Sequence, residues 1–106
     1  MILSGCQAIG KTISLIVENE DKTRGYNVEV LIETKGRNSF EEKFELGPDE
    51  TIEREDILPG NMVPYHTKVT LANGISETRS IDVHQMQGIR ITINNPQDVV
   101  ISASAP

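Results

Sequence analysis

Apolar and polar residues alternate along most of this chain with a period of two. Ile13, Leu15 and Val17 alternate with Thr12, Ser14 and Glu18, with Ile16 the one apolar residue on the second face. Tyr26, Val28, Val30 and Ile32 alternate with Asn27, Glu29 and Glu33. Phe40, Phe44 and Leu46 share one parity, and Glu41, Lys43 and Glu45 the other. Further on, Tyr65, Thr67, Val69 and Leu71 oppose His66, Lys68 and Thr70, and Ile81 and Val83 oppose Ser80 and Asp82. Ile89, Ile91 and Ile93 oppose Arg90, Thr92 and Asn94, and Val99 and Ile101 close the series. Successive side chains of an extended strand point to opposite sides, so this pattern predicts antiparallel strands with one buried and one wetted face. Roughly seven or eight such runs, at about eight-to-twelve-residue spacing, predict a two-sheet sandwich or a small barrel.

Turn chemistry separates the runs. Glu20 to Gly25 is a polar loop, and Lys35-Gly36-Arg37-Asn38 is a hairpin connection. Gly47-Pro48-Asp49 and Pro59-Gly60-Asn61 hold residues that a strand interior rejects. Asn73-Gly74 predicts a type I′ hairpin, a turn that needs positive φ at both central residues. Gln87-Gly88 and Asn94-Asn95-Pro96 mark the last breaks. Pro48 to Leu58 is the one segment open to a helical reading. Only Ile52, Ile57 and Leu58 are apolar there, and they make no helical stripe. Thr51 to Ile57 is therefore expected to be an edge strand whose charges keep other strands away.

Composition narrows the function. The 106 residues suffice for one domain that buries roughly two-thirds of the unfolded chain's surface. With no Trp and four aromatic rings, the core must be aliphatic, and β-branched richness favours strands. A formal net charge of −6 repels phosphate backbones and anionic headgroups, which argues against nucleic acid as a partner. The single cysteine, Cys6, excludes an intrachain disulfide.

The order of these segments resembles the small immunoglobulin-like modules of archaeal and bacterial surface lipoproteins. The resemblance rests on Ile16-Val17-Glu18-Asn19 before a polar loop, on Tyr26-Asn27-Val28-Glu29-Val30, and on Phe44-Glu45-Leu46-Gly47-Pro48. It continues through Leu58-Pro59-Gly60, Tyr65 and Val69-Thr70-Leu71-Ala72-Asn73-Gly74. It implies an all-β, immunoglobulin-like antiparallel β-sandwich of about seven or eight strands, here placed over 12–102. The terminal Ala103-Ser104-Ala105-Pro106 is expected to be a frayed end. The paired cysteines and core Trp of antibody domains are absent. Tyr65, just after a Pro-Gly turn, is either a tyrosine corner, with its hydroxyl bonded to nearby backbone, or a plain core ring.

Leu3-Ser4-Gly5-Cys6 resembles the lipobox of secreted lipoproteins. That resemblance implies lipidation of Cys6, cleavage just before it, and residues 1–11 as a lipobox remnant and linker. The expected protein is a non-catalytic module outside the cell or on its periplasmic face, held to the membrane through lipid on Cys6, with a structural or protein-interaction role and an unknown protein partner.

Candidates for chemistry are few. The only histidines, His66 and His84, fall on wetted parity and are expected to be solvated. Glu18, Glu20 and Asp21 could ligate calcium through oxygens, but a solvated acidic turn is the expected reading. Met62 with His84-Gln85-Met86 resembles the Met…His-x-Met part of periplasmic copper(I) chaperones, whose thioethers and imidazole suit Cu(I). The upstream histidine of that family is missing near Glu50 and Thr51, so copper is the alternative reading and no cofactor is expected.

Overall fold

The computed structural model describes residues 12–34, 39–60, 64–81 and 88–104. They form eight strands: β1 (Thr12–Asn19), β2 (Tyr26–Thr34), β3 (Ser39–Leu46), β4 (Thr51–Pro59), β5 (Tyr65–Leu71), β6 (Ser76–Ile81), β7 (Gly88–Asn95) and β8 (Asp98–Ser104). One four-stranded sheet runs in the order β4-β1-β7-β8 and the other in the order β3-β2-β5-β6. The expected immunoglobulin-like sandwich is what forms. Residues 51–59 are strand, as their lack of a helical stripe requires.

Burial follows the alternation. Ile13, Leu15 and Val17 of β1, and Ile89, Ile91 and Ile93 of β7, are fully enclosed. From the facing sheet, Val28, Val30, Ile32, Tyr65, Val69 and Leu71 meet them. A sandwich needs this: each inner face is apolar, so stacking two of them removes both from water. Thr67 shares the core parity, and its buried hydroxyl has no hydrogen-bond partner among the described residues.

Three features depart from the sequence pattern. First, β1 and β7 pair in parallel, Ser14 with Gly88 through Asn19 with Ile93, inside an otherwise antiparallel framework. Alternation reports which face is buried, not which way a neighbour runs. Second, β8 continues past Ser102, with Ala103 opposite Ile89 and Ser104 opposite Gly88, so residues 103 and 104 are paired strand. Third, the Asn73-Gly74 turn is not type I′. Gly74 donates to the Leu71 carbonyl at 2.9 Å, and Leu71 N–H donates to the Ile75 carbonyl at 2.9 Å. Only Gly74 of that loop has positive φ, +91°. This is the three-residue hairpin loop in which a type I turn ends on a left-handed glycine.

Tyr65 resolves as a tyrosine corner. It opens β5 directly after the connection that crosses from one sheet to the other, and its hydroxyl donates to the Pro59 carbonyl six residues upstream. The ring fills the core while the hydroxyl fixes the crossover, which is the role such a residue has in immunoglobulin-like folds.

Candidate protein-interaction surface

A cluster of mutually hydrogen-bonded polar groups lies at one end of the sandwich, around the end of β1. Asn19 is buried, and its amide spans two loops that both cross between the sheets, the β1–β2 loop and the β3–β4 turn. Nδ2 donates to the Arg24 carbonyl at 2.8 Å and the Gly47 carbonyl at 2.9 Å, while Oδ1 accepts from the Asp21 N–H at 2.9 Å. Asp49 N–H donates to the Asp21 carbonyl at 3.0 Å. The Gly47-Pro48-Asp49-Glu50 turn places Pro48 before an Asp49 with φ of +60°, the order a type II turn requires.

Asp21 is held as a carboxylate by donors of its own loop and the start of β2. Its Oδ1 accepts from Thr23 N–H at 3.0 Å and Thr23 Oγ1 at 2.9 Å, and its Oδ2 from Tyr26 Oη at 2.7 Å. The Thr23 backbone N–H first, then the Tyr26 hydroxyl, hold its pKa at about 2, against an ordinary 3.8, with the Thr23 hydroxyl and nearby Arg24 adding to them. Burial, then the Asp21 hydrogen bond and charge, raise the Tyr26 pKa. A carboxylate with its lone pairs taken this way is a loop brace and a poor calcium ligand. Glu18 is engaged elsewhere: Arg90 meets it at 2.6 Å and Thr92 at 3.1 Å. The three carboxylates considered for calcium therefore do not converge, and no group of three metal-ligating side chains occurs among the described residues.

Asp21 also sets an acid dependence. Its folded pKa is depressed, so its contribution to stability is fully present above about 3.8 and is lost as pH falls through about 2. Asp21→Asn should melt below the parent at neutral pH, and the gap should close as pH approaches 2. Circular-dichroism melts across that range test this; a gap that stays constant would show that the brace is not ionic.

Other candidates separate. His66 is exposed on the outer face of β5, opposite Glu33 of β2 and Ser80 of β6, as its parity predicts. Cys6, Met62, His84 and Met86 lie outside the described residues. A shallow groove of about 400 Å³ crosses the outer face of β2, β3 and β5, rimmed by Asn27, Glu29, Lys43, Glu45, Thr70 and Ala72. It holds no nucleophile–base pair.

The strand edges carry the most information for binding. Among the described residues, β3, β4, β6 and β8 each leave one edge unpaired. An open edge is a template for another strand, and natural sheets blunt it with charge, proline or bulges. β4 is blunted by Glu53, Arg54, Glu55 and Asp56, and by a register shift opposite Ile13–Leu15, where Asp56 has φ of +56°. β3 carries Glu41, Glu42, Lys43 and Glu45, and β6 carries Glu77 and Arg79. β8 has only Asp98, at its start.

Two inward-facing arginines lace the open sides. Arg54 of β4 pairs with Leu15 and so faces inward at the edge, where Nε and Nη2 reach Glu42 Oε2 at 3.0 and 2.8 Å. Its guanidinium also lies 5.3 Å from the Phe44 ring centre. On the other side, Arg79 of β6 pairs with buried Thr67 and donates to the Ile101 carbonyl of β8. Neither pairing stands out along the chain. The available signal was a charge on apolar parity: Glu42 between Phe40 and Phe44, and Arg79 two residues before Ile81.

A two-sheet sandwich with an aliphatic core, a tyrosine corner at the sheet crossover and unpaired edges defines an immunoglobulin-like domain, a class that generally serves as a structural or interaction module and not as a catalyst. Residues 24–104 match the family model described as Halobacterial Ig-like domain, and the chain belongs to that family. Domains of this kind typically stand outside the cell or on its surface. Comparisons with curated proteins and with solved structures gave no match. The matched segment begins after β1, yet β1 is interior to its sheet, between β4 and β7.

Proposed function

We propose that this chain is a membrane-tethered surface module that works by binding a protein partner. Two acyl chains on Cys6 would supply the membrane affinity that one chain gives only marginally. The acidic surface would then hold the domain off anionic headgroups and keep it soluble. The observation that carries the binding role is the sandwich whose strand edges are unpaired among the described residues, because an edge offers an ordered row of backbone donors and acceptors. The lipobox-like Leu3-Ser4-Gly5-Cys6, a few residues ahead of β1, supports the tether.

Expression from the full reading frame tests the tether. The parent protein should partition into the membrane fraction and give an N-terminal peptide that begins at Cys6 and carries acyl mass. Cys6→Ser should move to the soluble fraction with its melting temperature unchanged. A mature protein that retains residues before Cys6 and a free thiol would end the lipoprotein reading.

A further inference from the structure

We propose that the free edge of β8 is a docking site for an extended peptide segment, and that Arg79 selects one bearing a carboxylate on the side chain that enters opposite Ile101. This deepens the interaction role proposed above by naming the edge and the chemistry of its partner.

The direction of the β8 backbone groups follows from β7. Glu20 N–H donates to the Ile93 carbonyl at 2.8 Å, so Ile93 directs its backbone groups toward β1. Residues two apart in a strand point the same way, so Ile91 and Ile89 also face β1. Their β8 partners are Val99, Ile101 and Ala103. Each is thus a non-hydrogen-bonded pair of the antiparallel ladder, and each β8 residue turns its N–H and C=O to the free edge. That row of donors and acceptors is what an added strand uses.

This edge differs from the others in what guards it. From Val99 to Ser104 there is no charge and no proline, and Val100 is the one large apolar side chain exposed among the described residues. Among the described residues one guard remains, the Arg79 guanidinium on the Ile101 carbonyl. A strand seated on β8 must claim that carbonyl with its own N–H, which displaces Arg79. Arg79 has no carboxylate within ion-pair distance among the described residues, so the displaced guanidinium needs an acceptor. An incoming residue opposite Ile101 points its side chain to the inner side of the sheet, where Arg79 stands. A carboxylate there exchanges a neutral carbonyl for a charge-assisted, fork-shaped pair. A second copy pairing β8 against β8 does not provide it: the inward residues of its β8 are Val99, Ile101 and Ala103, and it brings a further net charge of −6.

The test uses the full chain and capped nine-residue peptides alternating Thr and Val, with Glu, Gln or Lys at the central inward position. Amide chemical shifts should move at Val99–Ala103 and on β6, and the Glu peptide should bind at least about tenfold more tightly than the Lys peptide. Arg79→Ala should abolish the preference for Glu while leaving the β8 shifts. Ala103→Pro removes an edge-facing N–H without touching the β7 ladder, so it should fold normally and fail to bind. Absence of β8 shifts with every peptide, equal affinity for Glu and Lys, or undiminished binding by Ala103→Pro would overturn the assignment. Sedimentation showing a β8-dependent dimer without peptide would also overturn it, in favour of a second copy. None of these outcomes bears on the Cys6 tether, which fractionation reads separately.

Discussion

Asn19→Ala should lower the unfolding free energy by about 3 kcal/mol, because it removes all three hydrogen bonds of a buried amide at once and leaves the part-buried Arg24 carbonyl and Asp21 N–H without that partner. Asn19 sits at the end of β1 in one sheet and holds the Gly47 carbonyl at the end of β3 in the other, besides the Arg24 carbonyl and the Asp21 N–H. Its loss unfastens the loop at 20–25 from the turn at 47–50. For a domain of this size the melting temperature should drop by on the order of 15 °C. Asn19→Asp sharpens the test through its sign. At neutral pH the carboxylate faces two carbonyls without a proton to donate, so the penalty should exceed that of alanine. Below the carboxyl range the acid recovers one donor, and the penalty should shrink as pH falls from 7 toward 4. Denaturant titrations at the two ends of that range measure both effects. An Asn19→Asp variant equal to alanine at both ends would mean that water, and not the side chain, satisfies the two carbonyls.

Gly88→Val should be at least as damaging, about 3 kcal/mol or more, for a different reason. Gly88 opens β7 opposite Ser14 in the parallel ladder. A Cβ built there would lie 2.4 Å from the Ser14 carbonyl oxygen and 2.8 Å from Ser14 Oγ. Rotating the Ser14 hydroxyl away does not help, since the nearest atom is backbone. β1 and β7 would have to separate where Ile13, Leu15 and Ile89 are packed without solvent contact. Gly88→Ala should show the same direction with smaller size. Gly47→Ala, whose Cβ would meet only Glu50 Oε1 at 3.5 Å, should be close to neutral. If Gly88→Ala and Gly47→Ala proved alike, close approach at β7 would not be what the glycine secures.

The core was legible because burial in a sandwich obeys a period of two. Val28, Val30, Ile91 and Ile93 are inside, and Glu29, Arg90 and Thr92 face outward on the other parity. His66 was placed outside for the same reason. The constellation at the end of β1 was not legible. Asn19 lies on core parity after Val17, and nothing in one strand shows that two carbonyls distant in sequence will converge on its amide. Asp21 read as an acidic loop residue, because the Thr23 and Tyr26 donors that engage it depend on how the loop closes. The Asn73-Gly74 turn shows a smaller failure. The dipeptide permits a two-residue loop, but Ala72 also left the ladder, and Gly74 took the left-handed position of a longer one.

Alternating side chains, turn-forming residues and an acidic, disulfide-free composition dictated that the chain would make a layered, aliphatic β domain, since each of these acts within a few residues along the backbone. Neighbour and direction were settled by assembly. That β1 runs parallel to β7, that Arg54 and Arg79 close opposite sides, and that β8 is the least guarded edge all depend on which strands meet across the sandwich. Such meetings maximise buried area and hydrogen bonding for the whole domain at once, and no local stretch of residues encodes them.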